Sequence, residues 1–265
     1  MTPPLTLETA DARLVIDPDA GGRAASLVVE GLELLTRGGP DPVQWGWYPM
    51  APWPGRLRDN AFRHAGRTHR MPPTFDGWAI HGTVYDATWR VEEQTASSVA
   101  LAADLGPPWP WPGLVRLTWA LEPGRLTTTV AVETTAPAFP AEVGWHPWFR
   151  RQLAVGAPAV LDLPAEAMAE RGADHLPTGR LVPVPSGPYD DAFHVPGGRV
   201  GITWPGALAL TCTSDCRWFV VFDELPGAVC VEPQTAAPDS LNADPYVVRP
   251  DRPRTARAEW AWRSA

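Results

Sequence analysis

Two short segments place an ionisable residue directly before a proline: Gly144-Trp145-His146-Pro147-Trp148-Phe149 and Val229-Cys230-Val231-Glu232-Pro233-Gln234-Thr235. A following proline disfavours the α region, so His146 and Glu232 are each expected in extended backbone. A side chain held in this way is well placed to be pre-organised for chemistry. An imidazole and a carboxylate together supply what general acid–base proton transfer needs. Each residue also has an ordinary reading, His146 as a satisfied core or turn histidine and Glu232 as a carboxylate at a strand end.

Three further positions carry groups suited to a polar pocket. They are Arg56 in Pro52-Trp53-Pro54-Gly55-Arg56-Leu57-Arg58, His81 in Trp78-Ala79-Ile80-His81-Gly82, and Asp190 in Pro188-Tyr189-Asp190-Asp191-Ala192-Phe193. Alone, an arginine is an ion-pair partner, a histidine before glycine is a turn residue, and Asp190-Asp191 is a solvated turn. Residue type and spacing thus support only a pocket of histidines and carboxylates.

The elements that would position these residues read as strands. Leu114 to Leu121 and Leu126 to Thr134 alternate apolar and polar residues across Glu122-Pro123-Gly124, the pattern of a β-hairpin. The same alternation recurs at 12–16, 24–29, 89–91 with 99–103, 208–213, 218–222, 228–232 and 255–262. The best helical candidate, Ala165 to Arg171, is short, so the pattern predicts an all-β chain. The Pro- and Trp-rich stretches around 45–54 and 107–113 read as long connections of the kind that build binding surfaces. Fourteen tryptophans exceed what packing alone usually demands; most are expected in the core and some on a ligand-binding surface. With no linker, charge run or internal repeat to divide it, the chain is expected to form one domain over residues 1–265.

Composition narrows the functions available. Thirty acidic residues against 22 basic ones give a net charge of −8, which opposes nucleic acid or an anionic membrane as partner and suits a small neutral ligand. All 22 basic residues are arginine, which removes Schiff-base lysine chemistry and a P-loop. The N-terminus lacks a basic n-region and an apolar h-region, and no run of 18 apolar residues follows, so a soluble, cytoplasmic protein is expected. Three cysteines, Cys212, Cys216 and Cys230, lack paired spacing and read as buried free thiols, although Cys212 and Cys216 stand close enough for a turn to bring them opposite.

Taken as a set, these residues resemble the aldose 1-epimerase, or galactose mutarotase-like, family. The family pattern is an early arginine, a His-Gly motif, a mid-chain histidine, an Asp-x-x-Phe motif and a late Glu-Pro-Gln-like segment. Arg56, His81 (25 residues on), His146, Asp190 with Phe193, and Glu232 answer to it, over roughly residues 10 to 262. Gly55 stands where the family usually has asparagine, and Leu57 where it has isoleucine. The Gly-Trp-His-Pro segment looks more like bacterial branches that include hexose-6-phosphate mutarotases.

The resemblance implies a large antiparallel β-sandwich, the galactose mutarotase-like supersandwich with few short helices, and interconversion of the α and β anomers of a free aldose. It makes Glu232 the base at the C1 hydroxyl and His146, kept protonated by neighbouring acid, the donor to the ring oxygen. Arg56, His81, Asp190 and Gln234 would hold the sugar hydroxyls. The implied partner is an aldohexose or its phosphate, acted on by a monomer or homodimer without metal or cofactor. Three rival readings stay open: a hexose-6-phosphate mutarotase with Arg58, Arg150 and Arg151 as phosphate clamp, a non-catalytic carbohydrate-binding domain, and a His81–His146–Glu232 metal site.

Overall fold

A computed structural model describes residues 2–39, 41–135 and 137–265. Period-two alternation dominates it, and it sorts side chains onto two sheets. The larger, of 11 strands, runs Leu5–Glu8, Ala12–Asp17, Arg23–Val29, Trp47–Met50, Gly144–Arg150, Ala228–Gln234, Trp218–Phe222, Asp190–His194, Ala167–Arg171 and Pro177–Val182, with Leu32–Glu33 beside the third. The smaller, of eight, runs Val160–Asp162, Arg199–Trp204, Leu208–Ser214, Arg254–Ser264, Arg125–Glu133, Leu114–Glu122, Ser98–Asp104 and Arg90–Gln94. Neighbouring strands within both sheets run antiparallel, giving the large antiparallel sandwich expected from the sequence.

The core lies between the sheets. Val115, Leu117, Trp119 and Leu121 alternate inward from the smaller sheet, as do Ala256, Ala258, Trp260 and Trp262. From the larger sheet come Trp47 and Phe149. Trp47 meets Trp119 and Trp260 at 5.2 and 5.1 Å between ring centroids, both edge-on, the geometry aromatic quadrupoles favour. Most tryptophans therefore serve packing: Trp47, Trp89, Trp119, Trp145, Trp204 and Trp260 are among the largest fully buried side chains.

Three expectations change. Residues 165–171 form no helix, because Ala167–Arg171 pairs as a strand with both 177–182 and 190–194. Ladder bonds to two neighbours override the helical propensity of so short an Ala/Glu/Met run. The 45–54 stretch is not all connection, since Trp47–Met50 is a strand central to the larger sheet. Trp109 and Trp111, in the other Pro- and Trp-rich stretch, stack on Phe62 and Phe139 rather than on a binding surface. The three cysteines, by contrast, are free and buried as expected.

Candidate active site

His146 and Glu232 lie on adjacent strands in the middle of the larger sheet. Gly144 pairs with Gln234 and Trp148 with Cys230, which places His146 opposite Glu232 on the same sheet face. Trp145 and Phe149 point into the sandwich core while His146 and Trp148, alternating with them, point to the face turned away from the smaller sheet. Pro147 and Pro233 are unusual in central strands because each removes a ladder donor. They fall beside the two chemical residues, and both of these are extended, as the pre-proline rule predicts.

His146 Nε2 sits 3.2 Å from Glu232 Oε1, and both side chains are buried. Glu232 Oε2 accepts a hydrogen bond from Gln234 Nε2 at 3.0 Å. The imidazole is stacked between Tyr48 and Trp148, at 5.1 and 5.0 Å, with His81 edge-on at 5.0 Å. Tyr48 Oη and Trp148 Nε1 both donate to the Val43 carbonyl, which fixes the two flanking rings and so the imidazole plane.

The surrounding polar groups converge from separate elements. His81 has a left-handed backbone, φ +61°, and its Nδ1 accepts from the Gly55 N–H at 3.3 Å, leaving Nε2 as the protonated nitrogen of the neutral ring. The next residue, Gly82, allows no side chain, because a Cβ there would lie 1.9 Å from the Ala51 carbonyl oxygen. Arg56 Nη1 lies 3.3 Å from Asp190 Oδ2, and Arg171 Nη1 lies 3.4 Å from the same oxygen. Arg171 Nε is also 3.2 Å from Asp191 Oδ1. These residues and Gln234 line one cavity of 190 Å³, with Phe75, Trp148 and Phe222 as its aromatic lining.

The proton is placed differently from expectation. Burial pushes the Glu232 carboxyl well above the usual carboxylate range, and the negative charge of Asp190 adds to the rise. Burial lowers His146 to about 3, helped by the positive charges of Arg23 and Arg56. His81 is lowered well below its ordinary value, first by burial and then by His146 and Arg56. Burial thus favours a neutral His146 beside a protonated Glu232 carboxyl over an imidazolium–carboxylate pair.

Arg23 explains part of this field. It is fully buried and donates to four carbonyls, those of Ala20, Pro42, Trp45 and Tyr85. Its guanidinium lies 4.2 Å from the Trp45 ring and 5.0 Å from the Tyr48 ring, on which His146 stacks. No carboxylate pairs with it among the described residues, and burial lowers it to about 10.

Arg23, Tyr48 and Arg171 were not singled out from the sequence. Tyr48 and Trp148 had only a weak local signal, each sitting in an adjacent aromatic pair, Trp47-Tyr48 and Trp148-Phe149. Arg171 fell in the misread helix. Arg58, Arg150 and Arg151 do not line the cavity: Arg58 pairs with Asp174 and Asp239, Arg150 donates to the Leu35 carbonyl, and Arg151 to the carbonyls of Asp223, Leu225 and Ala228. The cavity cations are Arg56 and Arg171, balanced by Asp190 and Asp191. The metal candidates that converge are His146, Cys230 and Glu232, with ligand atoms within 4.8 Å of one another, rather than the His81 set. Burial holds the Cys230 thiol far above its usual range, so the thiolate that metal binding requires is disfavoured.

A sequence profile of the aldose 1-epimerase family matches residues 4–199, a span that holds Arg56, His81, His146 and Asp190 and stops short of Glu232. The uncharacterized protein YihR of Escherichia coli (strain K12) is 24% identical over 249 residues, covering 84% of this chain and 81% of the relative. Among solved structures, a putative aldose 1-epimerase from Escherichia coli K12 superposes with a TM-score of 0.85 at 18% identity, covering 99% of each chain. Galactose 1-epimerase from Lactobacillus acidophilus NCFM gives 0.81 at 13% identity, covering 99% of this chain and 94% of its own.

Proposed function

We propose that this chain, which belongs to the aldose 1-epimerase family, is a mutarotase that interconverts the α and β anomers of a free, uncharged aldose. The observation that carries the reading is the 3.2 Å contact between His146 Nε2 and Glu232 Oε1 on one wall of a cavity lined by Arg56, His81, Asp190 and Gln234. Mutarotation opens the hemiacetal, turns about C1–C2 and closes on the other face. One group must take the C1 hydroxyl proton and another must give a proton to the ring oxygen.

Glu232 is the base and His146 the acid of ring opening, and each reverses its role on closure. The proton count balances on the pair alone. Opening moves a proton from C1–OH to Glu232 and one from His146 to the ring oxygen, so the open-chain sugar faces a protonated carboxyl and a neutral imidazole. Burial favours that same distribution of protons. Opening starts after the shared proton crosses to His146, a transfer assisted by the Gln234 amide, whose hydrogen bond favours the carboxylate. Arg56, His81 Nε2–H and Asp190 hold ring hydroxyls and fix the sugar against the pair. Equal numbers of arginines and aspartates in the cavity favour a neutral sugar over a hexose phosphate.

The test is anomer exchange followed by NMR or polarimetry on glucose, galactose and glucose 6-phosphate, with Glu232→Gln as control. Turnover of a neutral aldose, lowered about 10²–10⁴-fold by the substitution, is expected. Sugar binding with no acceleration of any aldose would make the chain a non-catalytic binder.

A further inference from the structure

A second depression lies beside the catalytic cavity. It has a volume of 730 Å³ and shares Ala169, Pro177 and Pro238 with the cavity as a common rim. The floor of both is the same sheet face. Along the strand Trp218–Phe222, Phe222 and Val220 line the cavity, and Trp218, the next residue on that face, lines the depression. Val220 is the cross-strand partner of Glu232 and Trp218 that of Gln234. Trp218 therefore lies two residues, about 7 Å of strand rise, from the position opposite Glu232.

The groups exposed there remain available. Trp218 is half-buried, touches the His194 ring at 5.4 Å, and its Nε1–H has no hydrogen-bond partner among the described residues. Elsewhere on the lining, Arg252 lies over the Tyr246 ring at 4.5 Å without an ion pair, and exposed Asp244 has none either among the described residues. An indole surface with free donors and acceptors of opposite charge fits the alternating C–H faces and hydroxyls of a pyranose. The lining mixes both signs, Arg180, Arg249, Arg252 and Arg254 with Glu142, Asp239 and Asp244, and Glu142 is already paired with Arg254.

Resting on the mutarotase reading, we propose that this depression is a second sugar subsite. The reducing ring of a di- or oligosaccharide occupies the catalytic cavity with C1 at Glu232 and His146. The next ring lies against Trp218, its hydroxyls within reach of Arg252 and Asp244.

The experiment measures NMR anomer exchange on glucose, maltose and cellobiose for the wild type, Trp218→Ala and Arg252→Ala. Trp218→Ala is expected to raise KM for at least one disaccharide roughly 3- to 10-fold, the scale of one lost aromatic contact, and to leave glucose kinetics unchanged. Arg252→Ala, on the surface, should act in the same direction without risk to the fold. Unchanged disaccharide kinetics in both variants, or an equal effect on glucose, would overturn the subsite while leaving mutarotation intact. Inactivity of the wild type on every sugar would instead remove the mutarotase reading. Calorimetric binding of maltose to wild type and variants then tests the subsite directly, and equal affinities would end it.

Discussion

Replacing Glu232 by glutamine separates a shared neutral proton from an ion pair by the sign of a pH effect. In the native state burial keeps the carboxyl protonated well above 4.5, whereas in the unfolded chain it ionises near 4.5. Above that pH the unfolded state binds one proton fewer than the native state, so wild-type stability falls by about 1.4 kcal/mol per pH unit until the native carboxyl itself ionises. Glutamine lacks this term and keeps a carbonyl oxygen for the Gln234 amide. His146 contributes the opposite slope between about 3 and 6.5, where only the unfolded chain is protonated. Its shift arises from burial, Arg23 and Arg56, so it cancels between the two proteins. The stability of Glu232→Gln relative to wild type should thus be level below pH 4.5 and rise above it, at about 1.4 kcal/mol per pH unit until the native carboxyl ionises. Urea unfolding of both proteins from pH 4 to 8 reads this difference. A wild type that gains on the variant as pH rises through 4.5 would mean an ionised Glu232 beside a charged His146 and would refute the assignment.

Catalysis carries the same signature: kcat/KM for a neutral aldose should show no inflection near pH 6.5, its acid limb lying toward the lowered value of about 3 for His146. A limb centred at 6.5 would show an unperturbed histidine. Arg23→Met strands four carbonyls that now share one guanidinium and should cost on the order of 3–5 kcal/mol by denaturant unfolding; a neutral substitution would deny Arg23 its structural role. A Cβ at Gly55 would lie 2.8 Å from Pro238 Cβ. Gly55→Asn is therefore expected to cost about 1–3 kcal/mol and Pro238→Gly, which removes both the Cβ and the ring, to relieve most of it, read from a double-mutant cycle. Full additivity of the two changes would place the strain elsewhere.

Much of the fold is legible in the sequence because its signal is local. The strand Trp218–Phe222 has the bounds its alternation predicts, and the hairpin of 114–134 is readable from its turn and period. The pre-proline rule gave the backbone of His146 and Glu232, but their contact depends on a register between segments more than 80 residues apart. Arg171 was lost because its strand is set by two neighbours rather than by its own residues. Arg23 gave no signal, since a guanidinium bound to four backbone carbonyls has no sequence partner to betray it. The proton was misplaced for a related reason: burial governs where it resides, and burial is a property of the assembled sheet.

The His146 and Glu232 strands are flanked on both sides by other strands of the larger sheet. Their amides can exchange with deuterium only when that sheet opens, which places them among the slowest in the protein. The chemical pair has no lower-stability region of its own, unlike a site carried on a lid or a loop. Loss of activity on heating and loss of the fold should therefore trace one curve, with no inactive native-like state between them.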